Sequence, residues 1–271
     1  MAFRSAILTV MEAAARKAAR SLLHDFGEVE QLQVSRKGPA DFVSNADLKA
    51  EKTLRAELSR ARPNFGFLME ESGATKGTED ARWIVDPLDG TTNFLHGIPH
   101  FAIVIALEQA SDVVAGLILD PIRDELFCAE KGTGAFCNQR RIRVSGRKDL
   151  KDTVIATGIP YHGRGDHGLF GAELRAVMNE VSGIRRFGAA ALDLAYVAAG
   201  RYDGYWERDL SPWDVAAGTL LVREAGGYVS PIGGKPGDAV AGASIVAAND
   251  QLHGPLDRLL RQANGLSDQG D

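Results

Sequence analysis

Cysteine is scarce in this chain: among 271 residues, Cys128 and Cys137 are the two thiols. Two cysteines make no disulfide framework, and a chain this long reaches a sizeable core without staples, so the expectation is a pair of reduced thiols. Long hydrophobic runs are missing too. No stretch approaches the ~20 apolar residues of a membrane-spanning helix. The apolar run from Ala6 to Met11, broken by Glu12, is too short for the core of a secretory signal, so the expected location is cytoplasmic. Positive charge is not in excess: 31 Lys and Arg against 36 Asp and Glu give a formal net charge of -5, which removes any overall electrostatic pull toward nucleic acid.

What is present has the balance of a globular enzyme. Apolar residues Ile7, Leu8, Met11, Ala14, Ala15, Ala18 and Leu22 recur at helical spacing between Ser5 and Phe26. Asn45 and Asp47 supply cap residues for a second helix, marked by Leu48, Leu54 and Leu58 and ended by Pro63. A short strand follows at Asn64 to Met69, and a buried one at Arg82 to Val85 stops at Asp86-Pro87. Strands at Phe101 to Glu108, Val113 to Leu119 and Glu125 to Glu130 predict an antiparallel or mixed sheet. Beyond residue 145 the pattern alternates. A strand at Val154 to Ala156 precedes helices at Leu169 to Val181, Ala190 to Ala199 and Trp213 to Ala225, and a late strand at Ser244 to Ala248 precedes a terminal helix. Stacked layers of helices and sheets are implied, an α/β (α+β) arrangement. The basic connection 140–151 separates residues 1–145 from 146–271, two halves of one compact unit.

Five acidic side chains fall at strand ends or helix starts: Asp47, Glu70, Asp86, Asp89 and Asp214. Pro87 bends the chain after Asp86, and Gly90 permits a backbone geometry that brings Asp89 back beside it. Thr91-Thr92-Asn93 are helix-initiating residues, so the amides of Gly90 and Thr91 face an anion. Two carboxylates ~4 Å apart repel by about 4 kcal/mol at an effective dielectric of 20. A hard divalent cation removes that cost, and oxygen-only ligands select Mg²⁺ or Mn²⁺ over Zn²⁺. Carboxylates for metal and amides for phosphate are the equipment of metal-assisted phosphoryl transfer to water.

The segment Trp83-Ile84-Val85-Asp86-Pro87-Leu88-Asp89-Gly90-Thr91-Thr92-Asn93-Phe94 resembles the first signature of the inositol monophosphatase family. Ser211-Pro212-Trp213-Asp214-Val215-Ala216-Ala217-Gly218, running on to Glu224-Ala225-Gly226-Gly227, resembles the second. Lys37 to Asp47 and Glu70-Glu71-Ser72 are similar to the N-terminal pieces, and the likeness extends roughly from Ala6 to Leu260.

The resemblance implies an αβαβα sandwich, often a homodimer, that cleaves a small polyol or sugar monophosphate, in first place myo-inositol 1-phosphate. It implies two or three Mg²⁺, sensitivity to Li⁺, and no phosphoenzyme. By the same resemblance Glu70, Asp86 and the carbonyl of Leu88 hold one ion. Asp86, Asp89 and Asp214 hold a second, and a weaker third sits near Glu70. Thr91 with Asp47 orients the attacking water, the amides of Gly90 and Thr91 bind phosphate, and Glu207 contacts a substrate hydroxyl. The Gly188-Ala189-Ala190 turn faces the substrate, with Ala189 standing where many relatives carry Ser or Thr.

Other readings fit less well. Haloacid-dehalogenase phosphatases space their aspartates differently and near the N-terminus. His96 and His100 are four apart, but Gly97 and Pro99 between them disfavour the helix a zinc pair needs. Fructose-1,6-bisphosphatase, histidinol-phosphatase and 3′-phosphoadenosine nucleotidase activities share the fold and metals and stand as alternatives. The basic stretch Arg140 to Lys151 offers a different class, RNA or protein binding, although such a run is ordinarily a solvated hairpin edge.

Overall fold

The apolar stripe at the N-terminus forms the buried face of α1 (Ala6–Phe26), and the Ser5 hydroxyl caps it by accepting the Leu8 amide at 3.2 Å. The computed structural model describes residues 5–28, 34–36, 42–234, 240 and 244–265. Residues 37–41 of the N-terminal signature lie outside the described residues. A two-stranded ribbon, β1 (Val34–Arg36) with β2 (Phe42–Ser44), leads into α2 (Asn45–Ala61). Leu48 faces solvent rather than the core; the helix buries Ala46, Asp47, Ala50, Glu51, Leu54 and Leu58 instead.

The larger sheet has eight strands. They are β3 (Gly66–Met69), β4 (Gly73–Thr75), β5 (Ala81–Asp89), β6 (Ala102–Gln109), β7 (Asp112–Asp120), β8 (Glu125–Glu130), β9 (Gly134–Cys137) and β10 (Arg140–Arg141). Their order is β10-β9-β8-β7-β6-β5-β3-β4, antiparallel throughout except for the parallel pair β3 and β5. The strand expected to stop at Asp86-Pro87 continues to Asp89, with an irregular register against β6 between Asp86 and Asp89. Proline has no N–H to give the ladder, and a bulge is where a strand tolerates it.

The second sheet comprises β11 (Val154–Thr157), β12 (Gly183–Arg185), β13 (Gly204–Arg208), β14 (Tyr228–Ser230) and β15 (Ser244–Ala248), in the order β12-β11-β13-β15-β14. The remaining helices are α3 (Thr91–Leu95), α4 (His167–Met178), α5 (Ala190–Ala198), α6 (Pro212–Glu224) and α7 (His253–Ala263).

Alternation along β5 shows how the layers stack. Trp83 and Val85 point to a core shared with α1 and α2, while Ile84 points to a core shared with α5 and α6. Tyr205 of β13 and Ala247 of β15 close that inner core from the second sheet. On the other face of this sheet, Trp206 and Val246 meet Val177 of α4 and Leu256 of α7. The result is the layered αβαβα architecture. Small residues let α6 lie close to the large sheet: a Cβ on Gly116 would come within 3.0 Å of the Ala217 backbone. Cys128 belongs to the outer core and Cys137 packs on the inner one, so the two thiols lie on opposite faces of their sheet. No helix among the described residues is long and apolar enough to cross a membrane.

Candidate active site

Parallel pairing of β3 with β5 sets Met69 opposite Val85, and the Glu70 amide donates to the Val85 carbonyl at 3.3 Å. Glu70 therefore leaves its strand beside Asp86. The Leu88 amide donates to Asp86 Oδ1 at 2.9 Å, a local bond that turns the bulge. Gly90 follows at φ +91, and a Cβ there would meet the His100 carbonyl at 3.0 Å, so the position needs glycine on both counts. The Thr91 hydroxyl donates to the Leu88 carbonyl at 3.0 Å as α3 begins. Asn93 Nδ2 donates to the His100 carbonyl at 2.8 Å and the Phe187 carbonyl at 2.7 Å, tying this turn to Gly188.

Two inner-layer helices aim their N-termini at the same place. The Ala191 amide of α5 donates to Asp89 Oδ2 at 2.9 Å. The Ser211 amide donates to Asp214 Oδ2 at 2.7 Å in a capping box that opens α6 with Pro212. The positive ends of both helix dipoles thus face carboxylates, offsetting part of the charge they gather.

That offset is incomplete. Burial, then its neighbours Asp214, Asp47 and Glu71, pushes Glu70 up to about 8, against the opposing effect of a hydrogen bond with Asp86. Asp86 is raised well above the carboxylate range by burial and then by Glu70, Asp89 and Asp214. Asp89 is raised likewise, by burial and then Asp214. Burial also lifts Asp214 to about 6, although the Ser211 amide and Arg164 work against it. Without a counter-cation these groups keep protons that a solvated carboxylate would release.

Glu70, Asp86, Leu88, Asp89, Gly90, Thr91, Gly188, Ala190, Glu207 and Asp214 line one cavity of about 620 Å³. Asp47 and Ala189 are buried behind its wall. The Glu207 carboxylate accepts from the Tyr205 hydroxyl, and any Cβ on Gly158 would collide with it. Burial pushes Glu207 up to about 7, with Asp214 adding to the effect while the Tyr205 bond, Arg186 and Arg164 oppose it.

Several of these partners escaped sequence reasoning. Tyr205 stands two residues from Glu207, a same-face spacing on a strand. That signal becomes legible only once Gly204–Arg208 is recognised as strand β13. Gly158, Arg164 and Arg186 come from loops whose approach to Glu207 no local pattern encodes.

Among the described residues, no three Asp, Glu, His or Cys side chains already converge as a ligand group for a metal ion. Asp86, Asp89 and Asp214 are each turned onto a backbone amide instead. The donor chemistry nevertheless fits a hard cation: oxygen atoms alone, on neighbouring acids that burial, and for Glu70, Asp86 and Asp89 also mutual repulsion, keeps protonated.

A profile of the inositol monophosphatase family matches residues 4–264. An inositol-1-monophosphatase from Mesorhizobium japonicum is 62% identical over 254 residues, which is 93% of this chain and 95% of that protein. The Nus factor SuhB of Escherichia coli is 42% identical over 91% of this chain and 92% of its own length. Among solved structures, the extragenic suppressor protein suhB from Bartonella henselae superimposes with a TM-score of 0.92 at 60% identity, covering 95% of this chain and 99% of that one. Whole-length likeness, joined to the acidic cavity between the two sheets, identifies the chain as a member of the inositol monophosphatase family.

Proposed function

We propose that this family member is a cytoplasmic, Mg²⁺-dependent phosphatase that hydrolyses a small polyol or sugar monophosphate, with myo-inositol 1-phosphate as its substrate. The observation that carries this reading is the gathering of Glu70, Asp86, Asp89 and Asp214, all raised above the usual carboxylate range, in the cavity that also contains the Gly90-Thr91 turn.

Glu70, Asp86, Asp89, Asp214 and the Leu88 carbonyl are the oxygen donors for two or three Mg²⁺. Bound Mg²⁺ supplies Lewis acidity and neutralises charge on the phosphate and the leaving oxygen. The amides of Gly90 and Thr91 hold phosphate oxygens at the start of α3. Thr91 and Glu70 orient the attacking water, and its proton passes through the Thr91 hydroxyl to the carboxylate of Asp47 behind it. Glu207, held by Tyr205, accepts a hydrogen bond from a hydroxyl of the leaving group. Asp89 and Asp214 border the same hydroxyls, and the Gly188-Ala189-Ala190 turn frames the ring. Homodimer assembly rests on the family resemblance and is tested by sedimentation.

A comparison of kcat/KM on myo-inositol 1-phosphate, fructose 1,6-bisphosphate, histidinol phosphate and 3′-phosphoadenosine 5′-phosphate tests the substrate. The inositol ester is expected to lead. A lead of tenfold or more by another ester would reassign the substrate within the same chemistry.

The Nus-factor name of the Escherichia coli relative raises the binding role of residues 140–151. Against it, Arg147 is engaged by Asp203 at 3.1 Å, and Asn249 holds the carbonyls of Ser145 and Arg147 at 2.8 Å each. These contacts tie residues 145–147 into the fold, and the phosphatase reading is retained.

A further inference from the structure

One face of α2 grips the turn that carries Glu70. Asp47, Glu51 and Arg55 recur every four residues and so share that face. Glu51 is 5% exposed, yet its carboxylate meets no cationic side chain among the hydrogen bonds and ion pairs described. Its Oε2 instead accepts the amides of Glu71 at 2.9 Å and Ser72 at 3.4 Å. Arg55, one helical turn on, donates to Ser72 Oγ at 3.2 Å and Thr75 Oγ1 at 2.9 Å, with its guanidinium 4.9 Å from the Phe67 ring centre.

The turn between β3 and β4 is therefore held from two sides. On one side the Glu70 amide reaches β5 through a long bond of 3.3 Å. On the other, the next two amides are drawn to α2. A further buried carboxylate beside an acidic cluster is costly, and the charge-assisted bonds from two amides offset that cost.

We infer that Glu51 is a positioning residue that fixes Glu70 relative to Asp47 and thereby sets the affinity of the site for a divalent cation. The inference rests on the reading of Glu70 as a cation ligand. Glu51 does not touch the cation; it acts by holding the backbone from which Glu70 projects. A glutamine would do the same work, because its amide oxygen accepts the same N–H groups.

Calorimetric titration of the full chain with Mn²⁺ alone tests this without reference to turnover. Glu51→Ala is expected to weaken Mn²⁺ binding by about 10–100-fold, the usual cost of losing an outer partner that orients a ligand. Glu51→Gln is expected to stay within about threefold of wild type, since the accepted hydrogen bonds persist. Wild-type affinity in Glu51→Ala would overturn the inference. So would equal losses in both variants, which would assign the effect to charge rather than position. If Glu51→Ala does not fold, Glu51→Met fills the volume without comparable acceptance and carries the same outcomes. A wild-type chain that binds no Mn²⁺ would instead refute the cation reading itself.

Discussion

Replacing Gly158 by alanine should damage substrate choice more than chemistry. The added Cβ would sit on the Glu207 carboxyl, whereas non-bonded carbons pack at about 3.5–4.0 Å, so the carboxylate must retreat by an ångström or more. Retreat breaks its bond from the Tyr205 hydroxyl, and Tyr205 is fully buried with no solvent to replace the partner. It also withdraws a charged acceptor from the cavity. A hydrogen bond to a charged group contributes about 1.5–3 kcal/mol, which predicts a roughly 10–150-fold loss in kcat/KM on myo-inositol 1-phosphate. p-Nitrophenyl phosphate has no such hydroxyl and should lose far less. The assay is phosphate release from both esters at saturating Mg²⁺, with circular dichroism to confirm folding. Equal losses on the two esters, or none on the inositol ester, would refute the assignment of Glu207 and its glycine seat.

Three further predictions follow from the same geometry. Asp89→Asn should abolish turnover without unfolding the chain, because an Asn oxygen can still accept the Ala191 amide; activity within tenfold of wild type would reject the role of Asp89. In the metal-free protein, folded-state values near 8 for Glu70 and near 6 for Asp214 lie above their ordinary 4.5 and 3.8. The folded chain then holds protons that the unfolded chain releases, so this contribution is complete below the unfolded values and is lost as pH rises through 6 and 8. Thermal melts in EDTA should fall across that window, and added Mg²⁺ should restore most at its alkaline end, where it no longer competes with protons. Gly116→Ala should lower stability by about 1–3 kcal/mol, since the new methyl meets the Ala217 backbone rather than a movable side chain; an unchanged urea midpoint would contradict the close seating of α6.

How much of this was legible in advance depends on how local each determinant is. Helix α1 follows from apolar spacing alone, and the acids of the two signatures stand beside residues that bend or start a backbone element. Strand β13 was not legible, because five residues between Asp203 and Asp209 mix aromatic and charged side chains. Its strand character comes from pairing with β11, which precedes it, and β15, which follows it, both distant in sequence. Missing β13 hid Tyr205, and with it the seat of Glu207. Glu51 was hidden for a different reason: a Glu among Lys and Arg on a helix reads as solvated surface until the turn at Glu71-Ser72 is folded against it. The continuation of β5 through Pro87 likewise depends on β6, which pairs with Asp89 beyond the bulge.

The claim at the centre is that the acidic cavity is a Mg²⁺-dependent phosphatase site. Phosphate release from myo-inositol 1-phosphate, measured on chelator-treated protein and then titrated with Mg²⁺, tests it most directly. The account predicts no turnover in EDTA and recovery with added Mg²⁺. Undiminished turnover in EDTA would contradict it.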